Sequence, residues 1–172
     1  MPHRNRLALV IAVVVVALAL ILAPTAASGN DVRDPDDVSG KLDFKRLSAT
    51  KRRRIDNAIA TMTFHDGFRP QALKKPNALF LWIDVNVDGN ADFNGTIRST
   101  RSGILMDVDY LRGSDPFNPL PVFRLAHDTY RVVLSSRQPY NTRGRKAFYA
   151  TSKYCSTTCL TDRVPDADWV GT

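Results

Sequence analysis

An all-β fold, an antiparallel sandwich or barrel, is the class this sequence predicts, and three observations predict it. All 17 acidic residues are Asp, with no Glu anywhere, and Arg far outnumbers Lys. Helix surfaces draw on Glu and Lys, whereas Asp favours caps, turns and metal loops. Next, roughly seven or eight short apolar stretches are separated by Gly-, Pro- and Asp-bearing breaks, the rhythm of an antiparallel sheet. Finally, the strongest of those stretches runs directly into an Asp-Gly step, itself a hairpin signal.

The first residues stand apart from the fold. Arg4 and Arg6 precede an unbroken apolar run, Leu7–Ala23, which ends at Pro24 and the small residues Thr25-Ala26-Ala27-Ser28. That pattern predicts a secretory signal peptide over residues 1–27, cleaved after Ala27. Left uncleaved, the same run would anchor the protein in a membrane. Two arginines and no acid leave with the signal, bringing the net charge from +7 to +5. The expected location is therefore outside the cell or in its envelope. Residues 28–40 are polar and turn-rich and read as an irregular lead-in. Residues 41–172 are long enough for a single β-sandwich domain with its own core. Cys155 and Cys159 form its one disulfide in an oxidising compartment, closing the C-terminal tail. A zinc site is the weaker alternative, since it needs about four ligands and only His65 and His127 are left to join them.

Leu42, Phe44 and Leu47 give a broken alternation, a candidate first strand with Asp43 and Lys45 outward. The basic run Lys51–Arg54 reads as a solvated turn, with a contact for anionic polymers of the cell envelope or for nucleic acid as the alternative. It carries no interleaved aromatics on which bases could stack, so nucleic acid is not an expected partner. Ala58–Phe64 is the second strand, and Gln71–Lys75 a helical turn within a Pro-bearing loop. Leu79–Val85, Ala91–Thr100 and Ile104–Leu111 follow as strands. Residues 112–121 form a loop, Val122–Leu125 a short strand, and Tyr130–Leu134 another. Residues 137–146 are basic and turn-rich, and Lys146–Thr151 is the last expected strand.

The stretch Ile83–Gly95 carries the most specific spacing in the chain. Asp84, Asn86, Asp88, the Asn90 carbonyl and Asp92 occupy positions 1, 3, 5, 7 and 9 of a calcium loop, with Gly89 at the sharp turn. Position 12 is Gly95, where an EF-hand has Glu, so the surviving expectation is a structural Ca2+ loop within a β-hairpin. Asp107 and Asp109 on the next strand are the candidates for the missing oxygens. A metal-free turn is the competing reading. Register rejects a two-residue turn at Asp88-Gly89, because it would set Val85 opposite Asp92 and Asp84 opposite Phe93. An odd-length loop instead puts Ile83 opposite Phe93 and brings Asp84 and Asp92 together. A three-residue turn, Val87-Asp88-Gly89, satisfies the same parity without metal.

No catalytic residue is assigned. The chain lacks G-x-S-x-G, a phosphate loop and H-E-x-x-H, the last impossible without Glu. His65-Asp66 and His127-Asp128 are dipeptides whose neighbours point to opposite faces of a strand, so neither forms a base–orienter pair alone. The two histidines apposed in a cleft would favour an Asp-based secreted hydrolase. Phe80 and Trp82 share one strand face and are the candidate ligand-binding residues, with coverage of both sheet faces as the plain alternative.

Several stretches carry a resemblance. D-D-V-S-G-K-L-D-F-K-R-L-S-A-T, L-W-I-D-V-N-V-D-G-N-A-D-F and C-S-T-T-C-L-T-D-R-V-P-D-A-D-W together look like small secreted bacterial proteins of unassigned function. Their order also resembles carbohydrate-binding sandwich modules of the family 9-like and DOMON-like kind, which open with a Gly-x-x-Asp lead-in, here Gly40–Asp43. The resemblance implies a jelly-roll-like β-sandwich. The expected role is non-enzymatic binding, with an anionic cell-wall polymer or polysaccharide as partner; an Asp-based hydrolase and a purely structural envelope protein are the alternatives.

Overall fold

The computed structural model describes residues 29–52, 57–111, 113, 118–135, 146–165 and 169–172. Among these, eleven strands are paired antiparallel throughout. In chain order they are β1 (Gly29–Arg33), β2 (Phe44–Arg52), β3 (Asn57–Phe64), β4 (Ala78–Asp84), β5 (Phe93–Thr100) and β6 (Gly103–Tyr110). Then come β7 (Leu120–Arg124), β8 (Thr129–Leu134), β9 (Ala147–Cys155), β10 (Cys159–Val164) and β11 (Val170–Gly171). The sheet runs β1-β2-β3-β8-β7-β6-β5-β4-β9-β10, with β11 pairing the start of β9. It curls until its two ends approach each other, giving a nearly closed, barrel-like sheet. The all-β antiparallel class holds; the signal segment lies outside the described residues.

Alternation explains which side chains fill the interior. On β8, Tyr130, Val132 and Leu134 point inward and their neighbours outward, as a period of two requires. Leu79, Leu81 and Ile83 do the same on β4, facing Phe148 and Ala150 of β9 and Ile97 of β5. Each such side chain contributes about 1.5–3 kcal/mol of burial. One end of the interior is aromatic. Phe64 stacks on Phe44 at 4.8 Å and meets Phe68 edge-on at 4.9 Å, while Phe68 stacks on Tyr130 at 4.7 Å. The Tyr130 hydroxyl donates to the Phe68 carbonyl at 2.9 Å, so its polar tip is satisfied in the core.

Three expectations change on contact with the structure. The segment read as an irregular lead-in begins with a strand, β1, paired over its full length with β2. The tail holds two further strands, β10 and β11, both laid on β9. The third change concerns Asp43, expected to point outward. The β2–β3 register shifts between Phe44 and Arg46, a bulge that leaves Lys45 and Arg46 both exposed. Upstream of it, Leu42, Asp43 and Phe44 are all buried, and Asp43 is only 2% exposed. The helical turn expected at Gln71–Lys75 is a 3₁₀ turn at Pro70–Leu73. Of the basic run, Lys51 and Arg52 end β2, and Arg53 and Arg54 lie outside the described residues. The basic stretch 137–145 lies outside them too.

The two ends of the sheet meet along a seam. Here β10 and β11 approach β2 without ladder pairing, and the Phe44 N–H donates to Asp162 Oδ2 at 2.6 Å across the gap. Gly40 fits the lead-in against β9. Its φ is +144°, and a Cβ there would sit 2.8 Å from Tyr154 Cδ1, so only glycine allows this approach.

Candidate functional site

The outer face of β4, β9 and β10 is built by register. Trp82 lies opposite Tyr149, Phe80 opposite Thr151, and Thr151 opposite Arg163. Rows of side chains therefore cross three strands on one face. Trp82 stacks on Tyr149 with centroids 5.4 Å apart and planes 12° apart, and Trp82 Nε1 donates to Thr151 Oγ1 at 3.2 Å. Trp169 meets Tyr149 edge-on at 4.6 Å. The Arg163 guanidinium lies over the Tyr149 ring, 4.4 Å from its centre, a cation–π contact. Burial raises the Tyr149 hydroxyl above its usual pKa, with the Arg163 charge opposing.

Beside this cluster is a cavity of about 490 Å³. Phe80 gives it an aromatic wall, Thr151 and Thr161 give hydroxyls, and Lys153 and Arg163 give positive charge. Asp37, Val38, Ser152 and Asp162 complete it at the seam. The Arg163 Nε is buried with no hydrogen-bond partner among the described residues. A volume in the range of small-ligand sites, with one apolar wall and a few convergent polar groups, is what a binding pocket requires.

The seam edge of the cavity is acidic. Asp34, Asp37, Asp43 and Asp162 each bring a carboxylate oxygen within 4.8 Å of the others. Burial pushes Asp43 up to about 7, helped by its hydrogen bond with Asp36 and the negative charge of Asp162, while His65 pulls the other way. Burial also raises Asp162, opposed by the N–H groups of Phe44 and Arg163. His65 itself is tied down, its Nε2 donating to the Asp34 carbonyl at 3.2 Å.

No protein-family model matches the chain, and neither a curated protein nor a solved structure matches it. The site therefore has to speak through its own geometry.

Of the residues singled out in the sequence, Phe80 and Trp82 are half-buried on the outer face, one lining the cavity and the other stacked beside it. Cys155 and Cys159 have sulfurs 2.09 Å apart, at disulfide distance, closing the β9–β10 hairpin. The loop Asp84–Asp92 has the expected register, Ile83 opposite Phe93, but pairing stops there and the turn is wider than three residues. Asp84 is fully buried, and its Oδ1 accepts the N–H groups of Asn86 at 3.1 Å and Val87 at 2.6 Å, with Asp88 at 3.4 Å. Its Oδ2 accepts Gly89 N–H at 2.8 Å. Asp92 Oδ2 accepts Val85 N–H at 3.0 Å, and Asp88 Oδ1 accepts Asn90 N–H at 2.8 Å. The Asn86 side chain accepts from Asp88 N–H and donates to the Asp88 carboxylate. Much of the oxygen expected for calcium is thus already engaged by the loop's own amides. Asp107 pairs with Arg98 rather than turning to this loop.

The two histidines take different parts. His127 sits on a turn with its side chain 77% exposed, and its Nδ1 is 4.0 Å from Asp128 Oδ1, beyond hydrogen-bond range. The acidic cluster is the feature that sequence reasoning missed. Asp162 lies 118 residues from Phe44, whose amide it holds, and no local spacing links such distant positions.

Proposed function

We propose that this protein is an exported, non-enzymatic binding module that holds an anionic saccharide on the outer face of β4, β9 and β10. The single observation behind this is the cavity that sets the Phe80 ring beside two threonine hydroxyls and the charges of Lys153 and Arg163. A sugar ring offers a C–H face for an aromatic wall and hydroxyls for Thr partners. Its carboxylate or phosphate suits the Arg163 Nε, which has no acceptor among the described residues. The stack of Trp82, Tyr149 and Trp169 extends the surface for a second sugar unit. The apolar run Leu7–Ala23 supports export, and the positive charge of residues 28–172 supports an anionic wall polymer as partner. A jelly-roll-like sandwich plan belongs to the same reading, supported by a sheet that folds back until its ends meet.

Retention of the purified protein on insoluble anionic and neutral polysaccharides, measured across salt, tests the proposal. Retention on anionic polymers should fall steeply between 50 and 500 mM salt. Phe80→Ala and Arg163→Gln should each weaken it about tenfold or more. No retention on any polymer at low salt would remove the reading and favour a structural role. A hydrolase is the second reading, favoured by one observation: Asp43, raised to about 7, lies beside Asp162, the kind of pairing that supplies an acid and a base. Release of reducing ends from a retained polymer, lost in Asp43→Asn, would establish it.

A further inference from the structure

Four aspartates from two stretches of chain converge on the seam. Asp34 follows β1, Asp37 and Asp43 lie on the way into β2, and Asp162 comes from β10. Asp34, Asp43 and Asp162 are buried, while Asp37 faces solvent. Carboxylates gathered away from water repel one another, and burying their charge is costly unless it is paired or ligated. Asp162 is partly compensated by the amides of Phe44 and Arg163. Asp43 presents the sharper problem. It is 2% exposed, and its Oδ1 is buried with no hydrogen-bond partner among the described residues. The Asp43 carboxyl hydrogen-bonds Asp36, but its buried Oδ1 still accepts from no described residue, which marks the place of a missing positive partner.

The donor set names the class of that partner. All four residues offer oxygen, with no thiolate or imidazole among them, which selects a hard cation. Calcium takes six to eight oxygens at about 2.4 Å, whereas magnesium at about 2.1 Å keeps several waters and is usually held by only one or two carboxylates, so four carboxylates on one ion favour calcium. The four oxygens lie within 4.8 Å of one another. We infer that Asp34, Asp37, Asp43 and Asp162 form a calcium site that clasps the approach to β2 onto β10 across the seam. Water on the exposed Asp37 side completes the coordination. The site is separate from the Asp84–Asp92 loop and shares Asp37 and Asp162 with the edge of the outer-face cavity.

Calcium titrated into chelator-treated full-length protein tests this by calorimetry and thermal melting. One calcium should bind per chain, and the midpoint should rise by roughly 5–10 °C at a hundredfold excess over Kd. Magnesium at the same concentration should give a smaller rise. At pH 8, where Asp43 is ionised, Asp43→Asn should abolish both heat and shift while raising the midpoint in chelator, because it removes a crowded buried charge. Its opposite effects in the two conditions separate a lost ligand from a damaged fold. Asp37→Asn, at the exposed ligand, should fold normally and weaken affinity about tenfold or more. Asp88→Asn, in the hairpin loop, should leave the response intact. No heat and no shift with the wild-type protein at 10 mM calcium overturns the inference. So does a response that survives Asp43→Asn, a response lost in Asp88→Asn, or a magnesium effect equal to that of calcium.

Discussion

Replacing Asp84 with Ala removes the acceptor around which the β4–β5 turn is wound. The carboxylate takes three well-formed backbone hydrogen bonds, from Asn86, Val87 and Gly89, and a longer one from Asp88. A hydrogen bond to a charged acceptor contributes about 1.5–3 kcal/mol, so three of them amount to about 5–9 kcal/mol if no other partner takes their place. The four donor residues are exposed, however, so water can recover much of this. A net cost of about 3 kcal/mol is the result, with a midpoint lower by roughly 6–12 °C. Urea unfolding of wild type and Asp84→Ala, each in chelator and in millimolar calcium, measures it. The loss should be equal in the two conditions, because it is amides that consume this carboxylate. A cost below about 1 kcal/mol, or one that appears only with calcium present, would refute the reasoning. Asp84→Asn should fall between, since its amide oxygen keeps one set of donors while its NH₂ turns toward the other.

Further outcomes follow from neighbouring features. Val87 holds φ at 60°, a left-handed conformation that a β-branched residue adopts only under strain, and its side chain is half-exposed. Val87→Asn should therefore raise stability by about 1 kcal/mol in urea unfolding. Gly40→Ala meets both an unsuitable φ and the Tyr154 ring, and should cost about 2 kcal/mol or more and weaken calcium binding. The pH dependence in chelator has a definite sign. Asp43 is raised from 3.8 to about 7, so between those values the native state keeps a proton that the unfolded chain has lost. The contribution of this group is full below about pH 4 and is lost as pH rises through about 7. The stability difference between wild type and Asp43→Asn should shift against the wild type by roughly 1–2 kcal/mol over that window after solvent screening. A difference that moves the other way would contradict it.

Legibility in the sequence tracked how local each cause was. Strands β3 to β6 and β8 carry their own period of two, and their positions could be read directly. The parity of the hairpin loop was enough to place Ile83 against Phe93. By contrast β1, Gly-Asn-Asp-Val-Arg, has no apolar alternation, and its strand character comes from lying along β2. Cys159–Val164 is similar, with only its last turns of side chain buried and its pairing supplied by β9. Asp43 was misplaced because a bulge broke the alternation one residue later, an event set by the partner strand. The outer-face aromatics were half legible: Phe80 and Trp82 share a face by simple alternation, but Tyr149, Arg163 and Trp169 join them only through register across strands. The acidic cluster was out of reach, since Asp162 joins Asp34, Asp37 and Asp43 only when the sheet curls.

Among the described residues the junction between β6 and β7 has two paired positions, Leu105 with Pro121 and Met106 with Leu120, and one of these is a proline that has no N–H to give. It lies midway along the sheet, roughly across from the place where the ends meet. A five-stranded leaf and a six-stranded one, the latter counting β11, thus share a thin spine on one side and an unladdered fore-edge on the other. Slow exchange of amide hydrogens deep in β3, β4, β8 and β9, with faster exchange along spine and fore-edge, is the pattern such a book would show. Whatever fastens the fore-edge sets how often the whole book opens.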